Sequence, residues 1–223
     1  MRLAPLVMFV CAVACASGGT EATPSPAADP TAAAPSGLDP VILVHGWMGS
    51  PRDLLSMKAF LDARGLRSFI AVLPGEDNVQ NAASLRDYVN EVQALTRAER
   101  VDIVAFSMGG LSARYYLRNL GGQDHVRRYI SIDTPQYGDL SACLLPEDLG
   151  GQMCPGSAFL TQLNSGNDTP GGVSYTTIVN EEGSTEAGRL HGRAAVVTVS
   201  GPHAALLTMS SVQEAVVAAL KND

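Results

Sequence analysis

An α/β fold with a mainly parallel sheet is predicted by two patterns in the sequence. Short β-branched, apolar runs alternate with stretches of helical periodicity through the first half of the chain, as strands joined by crossover helices do. These runs are continuously apolar rather than alternating, which suits strands buried on both faces. Composition agrees: 223 residues, 46% hydrophobic and 17% charged, can build one sizeable core, so a wholly disordered chain is excluded.

The chain opens with Arg2 and an apolar stretch from Leu3 to Ala16, broken only by Pro5. It falls short of the roughly 20 residues a bilayer span needs but fits a signal-peptide core, and residues 1–15 are assigned to it. Ala12-Val13-Ala14-Cys15 also resembles a bacterial lipobox, which would make Cys15 a lipid-acylated residue. The expected location is therefore outside the cell, either secreted or tethered to the envelope. Residues 16–36, rich in Ala, Pro, Ser and Thr, lack large apolar side chains and read as a flexible linker. Residues 37–223 are left as the folded domain.

Within that domain Pro40 to Val44 reads as a buried strand. Residues 51–64 read as a helix, with Pro51 in its first turn and Gly65 at its stop. Ser68 to Leu73 reads as a strand and residues 80–98 as a long helix carrying Leu85, Val89, Val92 and Leu95 on one stripe. Val101 to Phe106 is a strand running into Ser-Met-Gly-Gly and a helix from Leu111 to Leu120. Arg128 to Ile132, Ser174 to Val179 and Ala194 to Val199 are further strands, and Ser210 to Leu220 is a closing helix.

Reactive groups in such sheets gather at the C-terminal ends of the strands. Ser107 stands at one of these, in Ala105-Phe106-Ser107-Met108-Gly109. A serine on a tight strand–turn–helix corner projects Oγ above the sheet, and its neighbours must be small because strand and helix nearly touch there. The helix behind it aims N–H groups at the site, which favours a developing oxyanion. Acyl transfer needs two such donors. The N–H of Met108 is one candidate; the N–H of Trp47, in His45-Gly46-Trp47-Met48-Gly49 after the first strand, is the other. His45 precedes that loop and reads as a prop for it. Among the remaining histidines, His125 and His191 read as surface residues. His203 follows the last strand, where a loop can bring imidazole over the serine; histidine as a residue type, with a reference pKa of about 6.5, suits a general base.

The segments VILVHGWMGS, VDIVAFSMGGLSARYYLRNLGG and VSGPHAALLTMSSV together resemble the small secreted bacterial lipases and esterases of the class 2 lipase family, in the α/β-hydrolase superfamily. The resemblance runs over roughly residues 39–221. It implies a minimal α/β-hydrolase with about six strands and no lid domain, a Ser–His–acid triad, and carboxylester hydrolysis with no metal or cofactor. Ser107 and His203 fill two triad places. The acid is the departure: where the family carries Asp after the penultimate strand, this chain has Asn180-Glu181-Glu182-Gly183. Glu182 is ranked first by spacing, Glu181 second, and Asp133, after the preceding strand, third.

The expected partner is a small-molecule or lipid ester, met in solution or at a lipid–water interface, with the protein acting as a monomer. Nucleic acid is excluded by a formal charge of −7 and the lack of any basic run. An envelope or lipid-anchor remodelling hydrolase, and a non-catalytic binding module on the same fold, are the alternatives. Cys143 and Cys154, the only cysteines beyond the leader, are expected to form a disulfide in an exported protein.

Overall fold

The computed structural model describes residues 38–183 and 185–222. The segments read as leader and linker, with Cys15, lie outside the described residues. Six strands form one sheet: β1 Val41–Val44, β2 Ser68–Ile70, β3 Val101–Phe106, β4 Val126–Ile132, β5 Ser174–Asn180 and β6 Ala195–Val199. Their order is β2-β1-β3-β4-β5-β6, and every neighbouring pair is parallel. The expected parallel α/β sheet of about six strands is thus the observed one.

The helices are α1 Leu55–Asp62, α2 Asn78–Thr96, α3 Met108–Asn119, α4 Ala158–Leu163, α5 Thr185–Gly188 and α6 Ser210–Lys221. Several boundaries differ from expectation by a few residues, two of them for plain local reasons. The first helix opens as a 3-10 turn over Pro51–Leu54, where Pro51 lacks an N–H and Asp53 Oδ2 takes the Ser50 N–H at 2.7 Å. Helix α3 begins directly after Ser107 rather than at Leu111, so Met108, Gly109 and Gly110 form its first turn. Helix α2 is capped by Asp77, whose carboxylate accepts the N–H groups of Val79 and Gln80.

Because successive strand residues point to opposite faces, the sheet sorts its apolar side chains into two cores. Ile42, Val44, Ile103 and Ala105 pack with Leu85, Val89 and Val92 of α2 and with Tyr116 and Leu117 of α3. Val41, Leu43, Val104 and Ile132 face the other way, against Met57 and Leu61 of α1 and Val212, Val216 and Leu220 of α6. Each fully buried aliphatic side chain contributes about 1.5–3 kcal/mol, so these layers make the sheet a rigid platform for whatever its ends carry.

The connection from β4 to β5, residues 133–173, has little regular structure and is tied down by specific bonds. Cys143 and Cys154 are disulfide-bonded. Closing a loop of this size is worth about 2–4 kcal/mol. Gln152 is buried and accepts the Asn78 N–H at 2.7 Å, bolting the disulfide loop to the start of α2. Farther along, Arg114 of α3 is buried and pairs with Asp168 at 2.9 Å, and the Tyr137 hydroxyl donates to the other Asp168 oxygen at 2.8 Å. Met108, Leu111, Ala142, Met153 and Phe159 form a third apolar cluster beneath this connection. No helix among the described residues is long and apolar enough to cross a membrane.

Candidate active site

Ser107 occupies the corner between β3 and α3 with φ 52° and ψ −132°. A non-glycine residue in that region costs on the order of 1–3 kcal/mol and persists only where its surroundings force it. Three glycines allow the forcing. A Cβ on Gly109 would lie 2.2 Å from the His45 carbonyl oxygen, one on Gly110 2.1 Å from Thr134 Oγ1, and one on Gly46 2.8 Å from Ser107 Cβ. None of these spaces admits a side chain. The close approach of α3 to the ends of β1 and β4 therefore depends on glycine at each place.

His203 lies in the first turn of the 3-10 segment His203–Thr208, after β6. Its Nε2 is 3.1 Å from Ser107 Oγ and its Nδ1 is 2.6 Å from Asp133 Oδ2. With Nδ1–H donating to the carboxylate, Nε2 is left as the acceptor for the serine hydroxyl. The imidazole also stacks on Phe106, ring centroids 4.7 Å apart, which restricts its rotation.

The structure thus places Asp133, ranked third, and not Glu182 beside His203. Glu182, the first choice, does not meet His203; its Oε1 accepts the Ser200 hydroxyl at 3.2 Å. Glu182 stands two residues past the end of β5, on an exposed turn. Asp133 follows β4 directly, with φ 46°, and its N–H donates to the Ile178 carbonyl of β5 at 2.8 Å. That left-handed turn directs its carboxylate to the imidazole. Glu181 is exposed as well, its N–H bonded to the Val199 carbonyl.

Two further residues hold this constellation, and neither was singled out from the sequence. Asn180, the last residue of β5, donates to Asp133 Oδ2 at 3.3 Å and to the Gly201 carbonyl at 2.9 Å. Glu76 accepts the Met48 N–H on both carboxylate oxygens at 3.1 Å. Met48 has φ 49°, and the Gly49 N–H donates to the Gly46 carbonyl at 3.1 Å. Positive φ at the third position marks a type II turn, which normally calls for Gly or Asn there, so the carboxylate supports a strained residue. No single-sequence signal picks out a glutamate 28 positions away for that task.

Trp47 is the second residue of this turn and lines the groove beside Ser107. Among the described residues no acceptor takes the main-chain N–H of Trp47 or of Met108. The Trp47 indole donates to the Leu149 carbonyl at 3.0 Å, linking the turn to the disulfide loop. His45 is buried, with Nδ1 3.0 Å from the Gly46 carbonyl and Nε2 accepting from the Leu73 N–H at 3.5 Å, which is the propping arrangement expected of it. The Met108 and Leu111 side chains lie in the third apolar cluster, buried rather than in the groove. His125 and His191 are exposed.

The groove over Ser107 has a volume of about 940 Å³. Its apolar wall comes from the β4–β5 connection, including Pro135, Ala142, Leu145 and Met153; Asp133, Asp139 and Glu182 are the charged side chains other than histidine that line it. No cluster of potential metal ligands occurs among the described residues.

A family model described as palmitoyl protein thioesterase matches residues 40–182, more than half of the chain. The match takes in Ser107 and Asp133 and ends before His203. Among solved structures, the fold is similar to that of Aspergillus fumigatus lipase B, with TM-score 0.73 at 18% identity, covering 85% of this chain and 54% of that one. The chain therefore spans about half the length of that lipase. Bacillus licheniformis lipase BlEst2 in its mature form aligns with TM-score 0.72 at 18% identity, over 89% of this chain and 96% of that one. The NocB thioesterase domain, solved as a covalent complex with a fluorophosphonate nocardicin G analog, gives TM-score 0.57 at 16% identity, over 82% and 96%.

Proposed function

The chain belongs to the palmitoyl protein thioesterase family, an α/β-hydrolase of lipase and esterase type, and from that premise we propose that it cleaves carboxylic esters or thioesters through an acyl-enzyme on Ser107. The observation that carries this reading is the continuous relay Ser107 Oγ, His203 Nε2, His203 Nδ1, Asp133 Oδ2, at 3.1 and 2.6 Å. Separations of this size are within reach for proton transfer.

In the proposed cycle Ser107 Oγ attacks the ester carbonyl carbon while His203 Nε2 takes the hydroxyl proton. Asp133 stays ionised and steadies the imidazolium. The carbonyl π pair moves to oxygen, and the oxyanion is received by the N–H groups of Trp47 and Met108, the latter at the N-terminus of α3. Collapse of the tetrahedral intermediate expels the alcohol or thiol, which takes its proton from His203. Water, deprotonated by the same imidazole, then attacks the acyl carbon; the bond to Ser107 Oγ breaks, the imidazolium returns its proton to Oγ, and the acid leaves. No metal or cofactor enters any of these steps.

The test is a fluorophosphonate probe followed by peptide mass mapping. The expected result is a single adduct on Ser107, absent when His203 is replaced by Ala. An unlabelled, folded protein would favour a non-catalytic binding module on this fold.

A second reading concerns where the ester is met. Leu144, Leu140 and Met48 are 91%, 78% and 75% exposed, and they sit on the two loops that border the groove. A cluster of this kind beside a catalytic cleft suits a lipid–water interface. Residues 139–155 carry Asp139, Glu147 and Asp148 and neither Lys nor Arg, which favours a neutral or zwitterionic surface over an anionic one. Co-sedimentation with phosphatidylcholine vesicles, weakened in a Leu140→Ser/Leu144→Ser double variant, is the expected outcome. Export, with Cys15 as an acylated anchor, is proposed alongside. The intact mass of protein from a native-like host should show either loss of the leader or an added lipid.

A further inference from the structure

We propose that Asn180 is a positioning residue that binds the three loops of the relay into one frame and tunes the proton affinity of His203. This rests on the assignment of Ser107, His203 and Asp133 made above. Asn180 is buried at the end of β5, the strand between β4, which delivers Asp133, and β6, which leads to His203. Its Cα is paired with Val199, so its side chain stands where these strand ends converge.

The amide is fully committed. One Nδ2 hydrogen goes to Asp133 Oδ2 at 3.3 Å, the other to the Gly201 carbonyl at 2.9 Å, and Oδ1 accepts the Glu182 N–H at 3.2 Å. Both groups facing Nδ2 are acceptors and the group facing Oδ1 is a donor. Turning the amide over would set like against like at all three contacts. The oxygen it touches on Asp133 is the one that accepts His203 Nδ1–H. Gly201, held through its carbonyl, lies two residues before His203.

Two consequences follow from chemistry. Without the amide, the Gly201–His203 turn loses its anchor, which loosens the Ser107–His203 geometry. The carboxylate also loses a donor that partly offsets its charge. A less compensated carboxylate stabilises the imidazolium more strongly, so the pH at which His203 becomes an effective base moves up. The groups facing His203 are Asp133, Ser107 and the Phe106 ring, with Glu182 on the neighbouring turn bonded to Ser200.

The experiment measures fluorophosphonate labelling rates of Ser107, and kcat and KM on p-nitrophenyl butyrate, from pH 5 to 9 for the wild type, Asn180→Asp and Asn180→Ser. In Asn180→Asp the shape is kept, but two carboxylates stand against each other. The acid limb of both profiles should move up by about one pH unit, as a like charge dictates. Asn180→Ser should lower kcat about tenfold to a hundredfold, with KM within about twofold and a smaller upward shift of the limb. A purely structural residue would change melting temperature while leaving the limb where it was. Wild-type limbs in both folded variants overturn the proposal. If only one variant folds, an unshifted limb in that one suffices. Failure of the underlying reading looks different: Ser107→Ala would remain active, or wild-type Ser107 would go unlabelled.

Discussion

The two ends of the sheet use the same kinds of side chain in opposite ways. At the N-terminal ends of the strands, Asp102 of β3 and Arg128 of β4 are cross-strand partners, both buried, 3.4 Å apart. Arg127 pairs with Asp39 close by, at 2.5 Å. The β3–β4 register shifts between Val101 and Asp102. Burial, with Asp39 adding to it, pushes the Asp102 carboxyl up to about 7 in spite of Arg128. At the C-terminal ends, Ser107 and Asp133 both follow a strand directly and have positive φ, and Asp133 meets a half-exposed histidine. One end buries Asp102 and Arg128 against each other between paired strands. The other concentrates backbone strain and leaves its imidazole open to a groove. A carboxylate at a strand end is therefore not by itself a functional signal. Positive φ just past the strand and a route to solvent set the Ser107 end apart.

The harshest break of this contrast is Ser107→Ala. Turnover of p-nitrophenyl butyrate should fall to a residual about 10³–10⁴ above the uncatalysed rate, that left by the oxyanion donors and binding alone. Circular dichroism should show the fold unchanged. The pair Asp133→Asn and Glu182→Gln comes next. The first should cost kcat up to about 10⁴-fold, as loss of the acid does in serine proteases. The second removes only an exposed charge, since the amide oxygen still accepts the Ser200 hydroxyl, and should leave kcat within about threefold. Reversed effects in steady-state kinetics would return the acid to the loop after β5.

Glu76→Ala probes the strained turn from outside the relay. Losing one oxyanion donor outright costs about 10²–10³ in kcat, so freeing the Met48 turn beneath Trp47 should cost about tenfold. KM should be nearly unchanged, and Glu76→Gln, which keeps an acceptor, should recover most of the loss.

Asp102→Asn tests the opposite end and should leave turnover alone while changing how stability depends on pH. In the folded wild type Asp102 holds its proton up to about 7, against an ordinary 3.8. Between these values the folded state binds more protons than the unfolded one, so this group makes stability fall as pH rises from about 4 to about 7 and level off above. Urea midpoints measured across that window should fall less steeply in the variant. Equal slopes would mean that Asp102 is already ionised at acidic pH.

The sequence alone determined the parallel α/β sheet, the corner serine, the late histidine and the cysteine pair. Each is written locally. Continuous apolar runs identify buried strands, a serine between a strand and small residues identifies a tight corner, and a loop after the last strand can only emerge at the strand ends. The carboxylate partner of His203 was not written that way. Asp133 and Glu182 both follow neighbouring strands, and linear spacing says how far a residue lies from a strand end but not where its side chain points. The left-handed turn at Asp133, set by its bond to Ile178, brought that carboxylate to the imidazole; the turn after β5 carried Glu182 away to Ser200. Asn180 and Glu76 were decided by tertiary structure alone. Their partners lie 47 and 28 positions away, and only packing of the sheet, α2 and the loops brings donors and acceptors so far apart in the chain within bonding distance.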